Sequence, residues 1–520
     1  MAKLSLQSRS LTVNAAWLTL AKCVAFSATI LIPILLVRQM SREEFGIYKQ
    51  AFLAVNTMIT ILPLGFAMSA FYFLPREPSR RGQVILNIVA FYLFIGGITA
   101  LTLIFYPELL AGLFNSPELT RYGREIGIVV LFWMASSFFE LAAVAQGETY
   151  LAAVVVVGSH LSRAVLLLSA AIWIGTLQAL IHAALLHGVL QTGALWLYLL
   201  SRFPGFWRQF DWSLMRSQLA YGMPLGAAGL LWILQTDLHN YFVSHKFGPA
   251  AYAIYAIGCF QLPLVGIVQE AVGSLMISRV SELRSEGDAG EILSLIARMM
   301  RKMAFVLLPI FVFLLVVRHE MIVFLFTEQY LPSAPLFAIN LCLIPLSIFS
   351  AGYDPVLRAY PESFPFLIAL RIILSVFLVA ALWIGMGSFG LVGAIGAVVL
   401  INLLERLVLG LKVGRILGMS WRDSARFKDV GKLMAAALAA GVVAEGVRRW
   451  SADLRPLMIL ALSAAGFGVS YAIWIFALGV MTAAEREVLL RKTRSLLPWT
   501  ERRERRGRMS SSDDVPSPLR

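Results

Sequence analysis

LTVNAAWLTLAKCVAFSATILIPILLVRQMSREEFGIYKQAFLAVNTMITILPLGFAMSAFYFLP, residues 11–75, decides the fold. Two long apolar runs flank the polar connection Met40–Lys49, MSREEFGIYK. At about 1.5 Å per helical residue each run can cross a hydrocarbon core about 30 Å thick. The stretch therefore reads as a membrane-spanning helical hairpin. Lys22 lies near the midpoint of the first run. A lone charge at that depth costs at least about 2.5–3.5 kcal/mol, so it faces protein or water rather than lipid. Three settings satisfy it: an intramembrane carboxylate, a water-filled cationic cavity for an anionic substrate, or a partial reach to the interface.

The whole chain extends this reading. Of 520 residues, 59% are hydrophobic and 14% charged, and the mean hydropathy is +0.77. Soluble domains carry about 25% charged residues, so the composition predicts a polytopic membrane protein. Met1–Ser10 is short and polar, and the run after it is too long for a signal-peptide core. Three cysteines scattered through apolar runs give no disulfide framework and no metal spacing. The net charge of +14 does not point to nucleic acid, because the basic residues flank apolar runs. No cofactor is expected.

Runs long enough to span occur at about 11–37, 46–74, 84–106, 123–147, 149–174, 177–200, 219–243, 250–276, 301–318, 333–353, 363–385, 390–411, 431–447 and 456–480. The prediction is an all-α protein of about 14 transmembrane helices. With a cytoplasmic N-terminus, 30 lysines and arginines fall in cytoplasmic segments and 9 outside. That asymmetry puts both termini in the cytoplasm. The chain also repeats itself. Phe45–Tyr48 (FGIY) recurs as Tyr252–Tyr255 (YAIY), and Glu108–Phe114 (ELLAGLF) recurs as Glu320–Phe326 (EMIVFLF). The copies keep their order at nearly one offset. This predicts two six-helix lobes in parallel repeat, residues 1–205 and 206–415. A two-helix hairpin (416–484) and a basic tail (485–520) follow. Transporters built this way hold substrate between the halves near the midplane, which favours alternating access.

MSREEFGIYKQAF (Met40–Phe52) and LGFAMSAFYFLPRE (Leu64–Glu77), before a basic turn, resemble the Wzx-type polysaccharide-biosynthesis flippases. These belong to the multidrug, oligosaccharidyl-lipid and polysaccharide exporter superfamily. The resemblance implies two bundles arranged as a V, as in the superfamily's drug antiporters. It also implies an undecaprenyl-diphosphate-linked oligosaccharide moved from the cytoplasmic to the periplasmic leaflet of a bacterial inner membrane. Polysaccharide polymerase or other assembly proteins are the implied partners.

A diphosphate needs cations aimed into a wet cavity. Lys22, Lys49, Arg163 and Arg371 lie within the spans and are the candidates for that contact. The alternative for Arg163 is an ion pair with Glu140 or Glu148, and Lys49 lies within snorkelling reach of the interface. Arg406, beside Glu405, reads as an interfacial anchor. Glu140, Asp237 and Glu270 are intramembrane carboxylates that could neutralise a cation or couple transport to ions, with His239 beside Asp237. His182 and His187 read as packing residues, and the aromatics that line a cavity cannot be singled out. The rival readings are a drug or cation antiporter, which wants a cavity dominated by carboxylates, and a membrane enzyme on the same lipid carrier. The longest external connection, about Pro107–Tyr122, carries no paired carboxylates beside a nucleophile, no glycine-rich phosphate loop and no metal spacing, so no enzyme activity is expected.

Overall fold

The computed structural model describes residues 31–208 and 210–480, all helix and connecting turns with no strand among them. Residues 31–39 are helical and lead into α1 (Arg42–Ile61). The polar SREE connection starts that helix. Ser41 Oγ accepts from the Glu44 N–H at 3.2 Å, and Glu44 Oε2 accepts from the Ser41 N–H at 3.0 Å, which closes a reciprocal capping box. The run continues into α2 (Ser69–Arg76) across a 42° bend, where Leu64 and Gly65 take φ of 48° and 66°.

Five helices complete the first part of the chain: α3 (Arg81–Phe105), the short α4 (Glu108–Phe114), α5 (Leu119–Ala145), α6 (Thr149–Trp173) and α7 (Leu177–Arg202). The second part opens with α8 (Trp212–Gly258), α9 (Pro263–Glu286), α10 (Ala289–Val316) and the short α11 (Arg318–Phe326). It continues with α12 (Ala334–Leu341), α13 (Leu343–Ala359) and α14 (Phe364–Ile416). α15 (Lys428–Trp450) and α16 (Pro456–Ala477) pack on each other at the end.

Among the described residues nine helices are long and apolar enough to cross a membrane, or up to eleven if each of two bent pairs is one span. Fourteen were expected. Most of the first expected span lies outside the described residues. Two further expected spans fall within α14, which is broken at Gly390 (φ 59°, ψ −134°). There the chain doubles back, because the Gly385 carbonyl occupies the place of a Cβ on Gly393. The eighth expected span, 250–276, straddles the gap between α8 and α9. Its first turns follow Gly248, where φ is 76°. α10 starts earlier than the hydropathy of 301–318 indicates. Glu291, Arg298, Arg301 and Lys302 dilute its polar side, while Ile292, Leu293, Ile296 and Met300 bury the other.

The repeated segments ELLAGLF and EMIVFLF take one form. Each is a short helix, α4 and α11, closed by a non-glycine residue at positive φ: Asn115 (49°) and Thr327 (73°). Threonine is β-branched and rarely tolerates that conformation, so tertiary contacts hold it there.

Candidate functional site

α6 carries Arg163 into the helices α1, α5 and α7. Its guanidinium lies 4.3 Å from the Trp133 ring centroid and 5.6 Å from that of Phe52. Tyr48, Lys49, His160 and His187 all lie within reach of its charge. Lys49 Nζ stands 5.6 Å from the Phe45 ring. Polar contacts fix the walls. Trp133 Nε1 donates to the Ala184 carbonyl at 2.9 Å, His187 Nδ1 is 3.2 Å from Ser162 Oγ, and Gln191 donates to the same Oγ at 3.4 Å.

Arg163 has no carboxylate partner among the described residues, and its Nε is buried without a hydrogen bond. Glu148, one of the two carboxylates proposed for it, pairs instead with Arg202 at 2.9 Å. Glu140 is half-buried on α5. A buried charge needs a partner of opposite sign or a full set of hydrogen bonds. Ring faces supply about 2 kcal/mol to a desolvated cation but leave the donors of its planar fork unused. Arg163 and Lys49 thus bring two cations within electrostatic reach of each other, one of them a planar guanidinium fork.

The other expected residues are placed elsewhere. Lys22 lies outside the described residues, and so does the side chain of Glu270 on α9. Arg371 is half-buried on α14, with no ion pair among the described residues and none joining it to the Arg163 centre. Asp237 and His239 share a turn of α8. His239 is buried, its Nδ1 2.8 Å from the Tyr255 hydroxyl. Arg406, expected as an interfacial anchor, is mostly enclosed by protein, with 16% of its side chain exposed, between Glu405 (3.6 Å) and Asp354 (3.9 Å). Gln235 reaches the same Glu405 at 3.4 Å, linking α8 to α14. Sequence reading gave Glu405 no such part and passed over Trp133, since a tryptophan in an apolar run looks like packing. His187 is buried against Trp133, whereas His182 is exposed. No cluster of three metal-ligating side chains occurs among the described residues.

α1–α2 and the first part of α8 run antiparallel and meet at both ends. At one end a Cβ on Gly46 would overlap the Pro249 carbonyl, and Gln50 donates to Ser244 at 2.8 Å in a buried pair. Two carbonyl contacts cross there. Arg38 donates to the Phe324 and Leu325 carbonyls at 2.8 Å each, and His245 Nδ1 lies 3.2 Å from the Leu113 carbonyl. Arg38 and His245 stand 207 residues apart, and Leu113 and Leu325 stand 212 apart, the offsets of the two sequence repeats. At the other end a Cβ on Gly226 would overlap the Leu64 carbonyl. Gln218 bridges Ser69 and Asn87 at 3.2 and 3.0 Å, and Arg80 pairs with Asp211.

A family model described as "Polysaccharide biosynthesis protein" matches residues 35–335. Solved structures with the same fold include "Lipid II flippase MurJ, inward closed conformation", 14% identical, with a TM-score of 0.67 over 90% of this chain and 99% of that one. A multidrug resistance MATE family transporter of the MOP superfamily in an inward-facing conformation is 16% identical, with a TM-score of 0.60 over 78% and 99%. A MOP superfamily transporter from Pyrococcus furiosus, described by a reversed polarity of its binding pocket, is 15% identical, with a TM-score of 0.53 over 78% and 95%. No curated protein matches the chain. The fold is that of the MurJ and MATE transporters, and the protein is a multi-pass membrane protein.

Proposed function

The chain belongs to the polysaccharide biosynthesis protein family, and from that membership we propose that it is a flippase for an undecaprenyl-diphosphate-linked oligosaccharide. The cargo crosses from the cytoplasmic to the periplasmic leaflet of a bacterial inner membrane by alternating access. The observation that carries this is Arg163: a guanidinium held against Trp133 and Phe52, beside Lys49, with no carboxylate partner among the described residues. A diphosphate would supply such a centre with an anion whose acceptors are in excess. Lys22 and Arg371 are the further cations proposed for the same cargo.

The division into lobes 1–205 and 206–415, with an added hairpin at 416–484, is part of this reading. The crossed contacts of Arg38 and His245 support it, since each repeat closes on the other's short helix. Both termini are placed in the cytoplasm by the excess of basic residues there. The Arg38 end is then periplasmic and the Asp211 end cytoplasmic. Asp237 and His239, with Glu140 and Glu270, are the candidates for ion coupling. Partner polymerase or assembly proteins would take the product on the periplasmic side.

The test is a deletion strain carrying plasmid-borne variants. Undecaprenyl-linked oligosaccharide should accumulate on the cytoplasmic side without the protein, and wild-type copies should clear it. No accumulation in the deletion strain would exclude this cargo.

A further inference from the structure

Away from the Arg163 centre, a cavity of about 260 Å³ lies among α10, α13, α14 and α15. Ile296, Met300, Phe349, Tyr353, Met419 and Phe427 form much of its wall, and the Tyr353 hydroxyl is the polar side-chain group they offer. Apolar space of about 150 Å³ already stays free of water and admits small hydrocarbons. A larger cavity among helices long and apolar enough to span the membrane has hydrocarbon as its natural filling.

Glycines keep it open. A Cβ on Gly431 would meet nothing within 4 Å, and one on Gly414 would meet only Met419, at 3.9 Å. Both line the cavity. They differ from Gly46, where a neighbouring backbone forbids a side chain. Here one would fit, in helices that disfavour glycine, and would fill the space.

The 412–432 connection, which brings Gly414, Met419, Phe427 and Gly431 to the wall, is basic. Arg415 follows Gly414, Lys428 follows Phe427, and Arg422 lies in the turn Trp421–Phe427. All three are exposed and make no ion pair among the described residues. Asp423 is engaged by Arg426 at 3.2 Å and by Ser420, which leaves Asp429 as the remaining acid of this stretch. Three cations against one carboxylate favour an anionic head group over a zwitterionic one.

We propose that this pocket takes an acyl chain of an anionic phospholipid, with its phosphate on Arg415, Arg422 and Lys428. The site does not depend on the flippase reading, and its test needs no transport assay. Full-length protein in detergent is mixed with phosphatidylglycerol or phosphatidylethanolamine, and retained lipid is counted by native mass spectrometry. Wild type should keep phosphatidylglycerol in preference. Gly431→Phe and Gly414→Leu should each cut that retention about tenfold or more, whereas Gly97→Phe, at an open position outside the pocket, should not. Arg422→Gln with Lys428→Gln should remove the preference between head groups. Phosphatidylglycerol carrying a photoreactive acyl chain, added to wild type, should label Met300, Met419 or Phe427, a result independent of how the variants fold. Wild-type retention in both filling variants, labelling confined to residues outside the pocket, or tighter retention of undecaprenyl phosphate than of phosphatidylglycerol would each overturn the proposal.

Discussion

Arg163 is the residue on which the transport reading turns. Removing it takes away a charge-assisted contact of about 1.5–3 kcal/mol, so Arg163→Ala should reduce export about tenfold or more while the protein still inserts. Arg163→Lys keeps the charge but not the planar fork, and it should lie between the two. Polymer at the surface, measured against the amount of protein in the membrane, separates these outcomes. Full export in Arg163→Ala would remove the diphosphate contact. Depth within an apolar run made Arg163 legible in the sequence. Lys49 was the weakest candidate there, because its position close to a connection suits snorkelling, yet α1 turns it towards the same centre. Trp133 was invisible for the opposite reason: nothing in LFWMAS separates a ring under a guanidinium from one under leucines.

At the scale of single elements, the two closures between α1–α2 and α8 rest on missing side chains. Gly46→Val would force the helices apart or distort them, at a cost of about 1–3 kcal/mol. It should lower the unfolding temperature and raise the reactivity of a cysteine placed at Gln50. Unchanged values for both would mean that the contact is not kept in the membrane. The crossed carbonyl contacts give a second test. Arg38→Ala combined with His245→Ala should increase labelling of cysteines placed beside these contacts more than either change alone, because each contact holds one repeat to the other.

The closure at the Asp211 end has a pH dependence of definite sign. The Leu214 N–H, at 2.9 Å, and the Arg80 guanidinium hold the Asp211 carboxyl below the usual aspartate range. Its contribution is therefore complete above the unfolded value of about 3.9 and is lost as pH falls through the lower folded value. Asp211→Asn should destabilise the protein at neutral pH and progressively less below about pH 4. A destabilisation that grew in acid would contradict this. Ser41 and Glu44 announced the start of α1 in sequence, since a capping box is local. The Asp211–Asn87–Gln218 network was not legible, because Asn87 lies 124 and 131 residues from its two partners and no local pattern joins them.

Across the whole molecule, composition and periodicity gave the membrane class and the all-helical fold, and the repeats anticipated that α4 and α11 would match. Boundaries were less legible wherever charge and curvature share a helix. α10 hides its first turns behind Glu291 and Arg298, whereas the gap between the expected spans 363–385 and 390–411 coincides with the reversal of α14 at Gly390. Site residues were legible in kind more than in grouping. Charged residues inside spans are few enough to enumerate, but which of them meet depends on helix rotation, as the Glu405–Arg406–Asp354 group illustrates. The MurJ and MATE fold accommodates several cargoes, so the choice among them rests on the sign of the charge that Arg163 and Lys49 present, Arg163 having no carboxylate partner among the described residues.

That sign is open to direct measurement: the binding of undecaprenyl diphosphate to purified protein, for wild type, Arg163→Ala and Lys49→Ala at one ionic strength. Wild type should bind, Arg163→Ala should weaken binding about tenfold or more, and Lys49→Ala should weaken it in the same direction. Equal affinity in all three proteins, each folded and monodisperse, would contradict the assignment of the Arg163 centre to the diphosphate.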